Sequence, residues 1–297
     1  MNPQQENDFR GNGGTTVGID AGATLAKLAV RTDAGDVRYE TLLSGHVADV
    51  MDEIARLQPD RVGLTGCGAK AIEARCAERG ATGTGHFQEF AAWGAGAHAQ
   101  LCDADGEGFA ESAPYLLISL GTGTSVMRVA DGEVLRVGGT ALGGGTVLGL
   151  GVALTGCESF AELCELAGRG DPSRVDLLVA DIYQEGEIAL PGETTASAFG
   201  KLSRWLAEGR GEAGAPSRED LAVGVMSLVA ENVALVCAGV SAMTQTPRWV
   251  FGGSTLNDNP ALQKILVRVG TSFGMETRLL PDGGHAGARG ALELVGR

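Results

Sequence analysis

The sequence from residue 16 to residue 31 reads TVGIDAGATLAKLAVR. Thr16 to Asp20 alternates as a strand does, and Leu25 to Arg31 forms a second apolar run. The small residues Ala21-Gly22-Ala23 between the two runs favour a tight turn. We therefore predict a strand hairpin with Asp20 at the end of its first strand.

The same pattern recurs in the second half of the chain, where residues 115 to 130 read YLLISLGTGTSVMRVA. Strands are predicted at Tyr115 to Ser119 and at Val126 to Ala130, around a Gly-Thr-Gly-Thr-Ser turn. In each half a third strand and then helices follow. This repeated order predicts an α/β duplication, because a simple βαβ series would lack the opening hairpins.

A polar, acidic segment at residues 102–112 separates the two halves. We place the domain boundary there, which gives an N-terminal domain at 15–112 and a C-terminal domain at 113–297. Residues 1–14 are polar and rich in Gly, Asn and Gln, and they are interpreted as a disordered tail.

Composition narrows the class of protein. The net charge of −14 opposes binding to nucleic acid, because the phosphate backbone is also negative. The six cysteines show no C-x-x-C spacing and are interpreted as reduced and structural. We expect no signal peptide and no apolar run long enough to span a bilayer, hence no membrane partner and a cytoplasmic location.

The two glycine turns are candidate phosphate sites, since small residues let backbone N–H groups approach phosphate oxygens. Either turn alone is equally an ordinary hairpin. Their equivalent positions in a duplication favour a joint grip on a polyphosphate. A third glycine-rich run, from Arg136 to Thr146, leads into the apolar helical segment Val147 to Leu154. A loop that feeds a helix N-terminus is a natural anion site, and the Arg136 guanidinium suits a carboxylate or a phosphate.

Glu89 lies in the run Phe87-Gln88-Glu89-Phe90, at the start of a predicted helix. A carboxylate in apolar company can have a raised pKa and act as a general base. A glutamate at a helix start can equally serve only to complement the helix dipole. The residues alone leave both interpretations open.

Together these residues resemble the type II pantothenate kinases of the actin/hexokinase/Hsp70-like superfamily. The order and spacing of the shared motifs hold from about Thr16 to the C-terminus. The matching stretches are Val17 to Gly22, Leu64-Thr65-Gly66, Gln88-Glu89-Phe90, Gly121 to Ser125, Arg136 to Gly139, Gly143-Gly144-Gly145, Gly149-Leu150-Gly151, Gly170-Asp171, Asp176-Leu177, Asp181-Ile182-Tyr183, Ala198-Phe199-Gly200 and Phe251 to Asn259.

The resemblance implies a duplicated actin-like ATPase fold (ribonuclease H-like), with two domains and a nucleotide cleft between them. It implies ATP and Mg²⁺ as cofactors and pantothenate as the substrate. The implied reaction forms 4′-phosphopantothenate, the first step of coenzyme A biosynthesis, and the implied assembly is a homodimer.

The resemblance also implies roles for individual residues. Glu89 corresponds to the catalytic carboxylate, and Asp20 to a Mg²⁺ ligand that acts through water. The residues implied in ATP binding are Asp20, Ala21, Gly22, Ala23, Thr24, Leu25, Ala26, Lys27, Thr122, Gly144, Gly145, Thr146, Val147, Leu148, Phe160 and Gly253. Those implied in substrate binding are Glu89, Thr122, Thr124, Ser125 and Arg136. Two positions depart from the family pattern: Ala23 replaces a common glycine, and Gly253 replaces a common serine.

Three alternatives remain. A sugar-type kinase of the same superfamily would be expected to have an Asp base and often a zinc-binding cysteine cluster. An ATP-dependent activator of the 2-hydroxyacyl-CoA dehydratase kind would need paired cysteines for an iron–sulfur cluster, and Cys157 and Cys164 are close in sequence. A nucleotide-binding regulator would show no turnover.

Overall fold

A computed structural model describes residues 14–22, 25–32, 34–42, 46–79, 83–106, 108–188, 190–207 and 215–297. Most of the predicted tail, residues 1–13, lies outside the described residues. The described strands are β1 (Thr16–Ala21), β2 (Ala26–Arg31), β3 (Val37–Leu42), β4 (Arg61–Thr65), β5 (Thr84–His86), β6 (Tyr115–Leu120), β7 (Thr124–Ala130), β8 (Glu133–Thr140), β9 (Leu177–Leu178), β10 (Thr195–Ser197), β11 (Arg248–Gly252) and β12 (Glu276–Leu279). The described helices are α1 (Val47–Leu57), α2 (Ala69–Glu78), α3 (Glu89–Asp105), α4 (Gly108–Ser112), α5 (Gly144–Thr155), α6 (Phe160–Ala167), α7 (Gly200–Ala207), α8 (Arg218–Thr244), α9 (Pro260–Ser272) and α10 (Ala286–Gly296).

The chain divides into two compact units with the same sheet topology. One unit contains the chain up to Phe109 together with His285–Arg297, and the other contains Ala110–Gly284. The first sheet has the order β3-β2-β1-β4-β5 and the second has the order β8-β7-β6-β11-β12. In both sheets the first three strands are antiparallel and the last two run parallel to the central one. The predicted α/β duplication is confirmed.

The first sheet buries apolar side chains of β1, β2 and β4 against α1 and α2, as the alternation of these strands requires. In the second unit the core joins β6, β11, α6, α8 and α9, and Trp249 and Phe251 are fully buried there. Each unit therefore has its own hydrophobic core, which is the physical definition of a domain.

The position of α10 differs from the predicted domain division, which placed residues 285–297 in the C-terminal domain. The structure assigns them to the first unit, where α10 packs on α3 and on the sheet. The contact is close enough that a Cβ on Gly290 would lie 1.6 Å from the Ala92 carbonyl oxygen, and a Cβ on Gly18 2.0 Å from that of Ala288. Small residues let the backbone of α10 approach those of α3 and β1. This contact forms only when the unit folds, so the sequence pattern did not reveal it.

The segment 102–112, where the domain boundary was predicted, is mostly helical. Helix α3 continues to Asp105 and α4 occupies Gly108–Ser112, so the unit boundary falls inside a short helix. Phe109 is buried and anchors α4. One apolar anchor in a polar segment is too weak a periodic signal to predict a helix.

Helix α8 corrects the expectation that no segment is long and apolar enough to span a membrane. Its 27 residues include a window with a mean hydropathy of 2.0, which meets that criterion by length and composition. Of that window, 61% is buried inside the protein. The burial of residues such as Met226, Val233 and Cys237 fits a central helix of the second core.

Candidate active site

Charged residues of the first unit meet at the carboxyl ends of its parallel strands. Asp20 on β1 pairs in register with Lys27 on β2 and with Thr65 on β4. Strand β5 is the next strand in the sheet, and Glu89 begins α3 three residues after β5 ends. Parallel strands that end at one edge bring these residues together, although they are distant in sequence.

The Asp20 carboxylate is buried beside one cation. The Lys27 Nζ lies 3.9 Å from Asp20 Oδ2, and a Cβ on Gly287 of α10 would lie only 2.6 Å from the same oxygen. Burial raises the pKa of Asp20, and the Lys27 charge opposes that shift. The carboxylate is thus held in a fixed position by backbone on one side and a lysine on the other.

Glu89 is solvent-accessible on the first turn of α3. Partial burial raises its pKa, the negative charge of Asp20 raises it further, and Lys27 lowers it. A glutamate that only complements a helix dipole would have a lowered pKa, because the dipole favours the charged form. A raised pKa is the direction that a general base uses near neutral pH, and the catalytic role of Glu89 stays a prediction.

The first glycine turn is described in part. Ala21 and Ala26 are buried in the sheet, and the Gly22 N–H donates to the Leu25 carbonyl oxygen at 3.0 Å. Ala23 and Thr24, which were predicted to bind ATP, lie outside the described residues.

In the second unit, the glycine-rich run folds onto the second turn. The Gly144 N–H donates to the Gly121 carbonyl oxygen at 2.8 Å, and the Gly145 N–H donates to that of Thr122 at 3.0 Å. The Thr255 hydroxyl also donates to Gly121, at 3.0 Å. The structure therefore brings together three segments that were predicted separately.

The predicted ligand residues of this region divide into accessible and internal ones. Thr122 and Leu148 are exposed, and Ser125, Thr146 and Phe160 are partly buried. Thr124 is buried and its hydroxyl donates to the Leu142 carbonyl oxygen at 2.7 Å. Val147 is fully buried and its N–H donates to Gly143. Thr124 and Val147 therefore hold the loop in shape from inside.

Arg136 is exposed on β8 and makes no ion pair with any other residue that the structure describes. Its guanidinium lies over Gly139, where a Cβ would meet Nη2 at 2.6 Å. Gly139 pairs with Ser125, and a β-bulge lies between Arg136 and this pair. The guanidinium is thus placed beside the end of the hairpin with its donors available to an anion.

Gly253 explains one departure from the family pattern. Its φ is +112°, and a Cβ there would lie 2.1 Å from the Leu120 carbonyl oxygen. Serine does not fit this backbone conformation, so the hydroxyl of this turn belongs to Ser254, the first residue of a 3-10 helix.

Comparison with known proteins identifies the family. A protein-family model described as Fumble matches residues 39–292. Type II pantothenate kinase of Oceanobacillus iheyensis is 31% identical over 277 residues, which is 93% of this chain and 98% of that protein. The chain belongs to the type II pantothenate kinase family. The enzyme of the same name from Staphylococcus haemolyticus is also 31% identical, over 94% of this chain and 99% of its own length.

Solved structures show the same fold as this family member. An activator of 2-hydroxyisocaproyl-CoA dehydratase from Clostridium difficile, with bound ADPNP, has a TM-score of 0.59 at 17% identity and covers 95% of this chain and 94% of its own. A ROK family glucokinase from Streptomyces griseus, in complex with glucose and AMPPNP, has a TM-score of 0.59 at 14% identity, covering 95% and 99%. These similarities confirm the actin-like ATPase fold, and at this level of identity they do not identify a substrate or a reaction.

Sequence reasoning about this type II pantothenate kinase family member missed two site residues. Thr65 was noted only within the matching stretch Leu64-Thr65-Gly66, and Gly287 was not singled out. Both touch the charged cluster through tertiary contacts: Thr65 through β1 and the segment before α3, and Gly287 through Asp20. The Leu64-Thr65-Gly66 motif was the one sequence signal that could have pointed to Thr65.

Proposed function

We propose that this chain transfers the γ-phosphoryl group of ATP to the 4′-hydroxyl of pantothenate, which forms 4′-phosphopantothenate and ADP. This is the first step of coenzyme A biosynthesis. The observation that carries the proposal is the match to type II pantothenate kinases along 93% of the chain. The charged cluster around Glu89 supports it, because phosphoryl transfer to an alcohol asks for a carboxylate near the hydroxyl.

In the proposed reaction Glu89 accepts a hydrogen bond from the 4′-hydroxyl and directs its oxygen at the γ-phosphorus. The new O–P bond forms as the bond from the γ-phosphorus to the β–γ bridging oxygen breaks, and ADP leaves with that electron pair. The hydroxyl proton passes to the Glu89 carboxylate late in this step. Since the base must be ionised, the raised pKa of Glu89 moves the acid limb of the rate profile above the ordinary range of a glutamate.

Mg²⁺ would be held mainly by the phosphates of ATP and by water, with Asp20 as the protein's contact. One carboxylate fits an ion that keeps several of its waters. Among the described residues no group of three or more His, Cys, Asp or Glu side chains could hold a metal by itself. When bound, the ion neutralises phosphate charge.

The second unit would supply neutral contacts to ATP and a cation for pantothenate. Thr122 presents an exposed hydroxyl beside the N-terminus of α5, and the Gly144 and Gly145 N–H groups hold the loop there by donating to the Gly121 and Thr122 carbonyl oxygens. The Arg136 guanidinium can grip the pantothenate carboxylate with two hydrogen bonds.

The two alternatives with solved counterparts share the fold but lack support at the site. Cys157 and Cys164 are buried in the second core, 2% and 6% exposed, where their thiols cannot reach a cluster shared between subunits. For a sugar kinase, the acid at the α3 start is a glutamate, where an aspartate base was expected.

A coupled ADP-release assay separates these functions. Pantothenate should stimulate ADP release strongly, whereas glucose and N-acetylglucosamine should not. Stimulation by a sugar and not by pantothenate would replace the proposed substrate. ADP release that is independent of every alcohol in the panel would favour the activator, and no ADP release at all would favour the regulator.

We also propose a cytoplasmic homodimer. Apolar side chains on β8, α5 and α8 of the second unit are exposed, with Leu135 66%, Val152 46%, Leu235 56% and Met243 78% accessible. The elements that carry them pack on one another, since α5 and β8 both contact α8, and we propose that these side chains form one apolar surface that the partner subunit covers. Sedimentation should give a dimer for the wild type and a monomer for Leu235→Glu/Met243→Glu, and a wild-type monomer would contradict the assembly.

A further inference from the structure

Thr65 is on β4, the strand that lies between β1, which carries Asp20, and β5, which precedes Glu89. It is the last residue of β4 and is completely buried. On one side its backbone pairs with Asp20 of β1. On the other side its hydroxyl donates to the carbonyl oxygen of Phe87 at 3.1 Å. One side chain thus connects the strand that carries Asp20 to the segment that carries Glu89.

The segment from Phe87 to Glu89 is held by a small number of other hydrogen bonds, among them the N-cap of α3, in which Gln88 Oε1 accepts from the Ala91 N–H at 2.9 Å. Regular pairing of β4 with β5 ends at Leu64 and His86, and one further bond, from the Phe87 N–H to the Leu64 carbonyl oxygen at 2.8 Å, extends it. The chain then passes through Gln88 in an extended conformation and enters α3 at Glu89. The Thr65 hydroxyl therefore fixes the last peptide before the turn that aims Glu89.

A buried hydroxyl at this position has a second property. Thr65 has no exposed surface, so it cannot contact a substrate directly. Any effect on phosphoryl transfer must pass through the backbone that it holds. A shift of the order of 1 Å in a reacting group costs ~10²-fold in rate, so a single orienting hydrogen bond can have a large kinetic effect.

We propose that Thr65 is a positioning residue for phosphoryl transfer, and that its hydroxyl orients Glu89 through the Phe87 carbonyl. The inference rests on the proposed role of Glu89. Loss of the hydroxyl leaves the fold and nucleotide binding intact but lets the carboxylate move away from the reacting hydroxyl.

The test is a double-mutant cycle in kcat with Thr65→Val and Glu89→Gln. Valine keeps the shape of threonine and removes the hydrogen bond. Thr65→Val alone should lower kcat ~10–100-fold with an unchanged KM for ATP, because the effect is one of geometry. In the Glu89→Gln background the same change should cost less than ~3-fold, because the group that Thr65 positions has already lost its function.

A second pair of variants at position 65 tests the role of the hydroxyl if Thr65→Val does not fold. Thr65→Ser and Thr65→Ala both lose the methyl group and differ only in the hydroxyl, so serine should keep most of the wild-type kcat and alanine should not. Thr155→Val is the matched control, since Thr155 is also a buried hydroxyl that donates to a carbonyl oxygen, at 2.8 Å to Gly151, near the far end of α5. It should leave kcat unchanged.

The outcomes separate the two claims. If Glu89→Gln is slow and Thr65→Val lowers kcat by the same factor in both backgrounds, Thr65 does not act through Glu89 and the inference is wrong, whereas the base assignment stands. Equal activity of the serine and alanine variants also overturns the inference. If Glu89→Gln turns over as fast as the wild type, the base assignment fails and the role of Thr65 falls with it.

Discussion

The β1–β2 hairpin of the first unit and the β6–β7 hairpin of the second occupy the same place in the same strand order, yet their chemistry differs. The first carries Asp20 and Lys27 on facing strands, with Glu89 near them. The second has no ionisable side chain from Leu120 to Val126 and is covered by the backbone of the glycine-rich loop. A duplicated element has kept its geometry and changed its side chains.

This difference indicates a division of labour. A carboxylate close to a phosphate is unfavourable unless a cation compensates the charge. Carboxylates are therefore suited to a site of proton transfer and Mg²⁺ binding. Backbone N–H groups and a hydroxyl bind phosphates without bringing a competing charge. Changes in the first unit should therefore affect the rate of chemistry, and changes in the second should affect binding or the shape of the loop.

The largest effect is expected for Glu89→Gln, which keeps size and hydrogen-bonding reach but removes basicity. Loss of a positioned general base costs ~10²–10⁴-fold in kcat, and the melting temperature with Mg-ATP should stay nearly unchanged. Steady-state kinetics and thermal unfolding measure both. The control is Glu78→Gln, an exposed glutamate of α2 that should keep full activity. If Glu89→Gln keeps nearly the wild-type kcat, the first unit does not supply the general base, and the proposed division of chemistry and binding between the two units is wrong.

Gly253→Ser tests the shape of the second unit. A side chain there is strained at φ +112° and would meet the Leu120 carbonyl oxygen, so we expect a loss of ~2–4 kcal/mol in the free energy of unfolding. Gly239→Ala on α8 is the matched control: nothing lies within 4 Å of a Cβ there, and alanine should stabilise the helix by ~0.5–1 kcal/mol. Urea unfolding compares them. Equal stability of Gly253→Ser and wild type would contradict the conformation of this turn.

Arg136→Lys keeps the charge but loses the planar pair of donors. The KM for pantothenate should rise ~10-fold, with the KM for ATP unchanged, because about one charged hydrogen bond is lost. Arg128→Lys is the control, since Arg128 pairs with Leu135 on the neighbouring strand and faces the side of the sheet opposite to Arg136. A higher KM for ATP with an unchanged KM for pantothenate would show that Arg136 binds a phosphate of ATP and not the pantothenate carboxylate.

The last effect is on stability and concerns Asp176, a buried carboxylate of the second unit. Its Oδ1 accepts from the Phe199 N–H at 2.8 Å, and its buried Oδ2 has no partner among the described residues. Burial, together with the charge of Glu231, raises the pKa of Asp176 to about 6, against the opposing effects of the Phe199 hydrogen bond and Lys201.

This raised pKa gives Asp176 a stability effect with a defined sign. The folded state binds the proton more tightly than the unfolded state, so the contribution of Asp176 to stability falls as pH rises from about 4 to about 6. Asp176→Asn removes this dependence, and its advantage over wild type in the free energy of unfolding should be ~2 kcal/mol larger at pH 7.5 than at pH 4.5. Urea midpoints at the two pH values measure it. A stability difference that does not change with pH would contradict the shift.

The sequence predicted the fold well wherever a periodic pattern was present. The opening hairpins of both halves were predicted at nearly their observed bounds. Strand β5 was missed, since Thr84-Gly85-His86 has no apolar pattern and is a strand only because it pairs with β4. The assignment of α10 to the first unit was missed for a similar reason. Its glycines indicate that another element packs closely against α10, but the sequence does not say which element.

At the site, the sequence identified residue types but not their surroundings. Glu89 was predicted with two roles, and only the fold places Asp20 near it. Thr124 and Val147 were predicted as ligand contacts and this stays a prediction; the structure adds that both are buried and that their hydrogen bonds support the loop. A buried hydroxyl such as that of Thr65 resembles a core residue in sequence, because its acceptor lies 22 residues away, in the segment between β5 and α3.

The most direct test of the account is the identity of the phosphorylated product. Pantothenate and Mg-ATP are incubated with the full chain, and the product is examined by ³¹P–¹H correlation NMR alongside ADP measurement. The account predicts one phosphate per ADP, on the 4′ methylene oxygen of pantothenate, because Glu89 accepts the proton of a primary alcohol. ADP that accumulates with inorganic phosphate and unmodified pantothenate would contradict it.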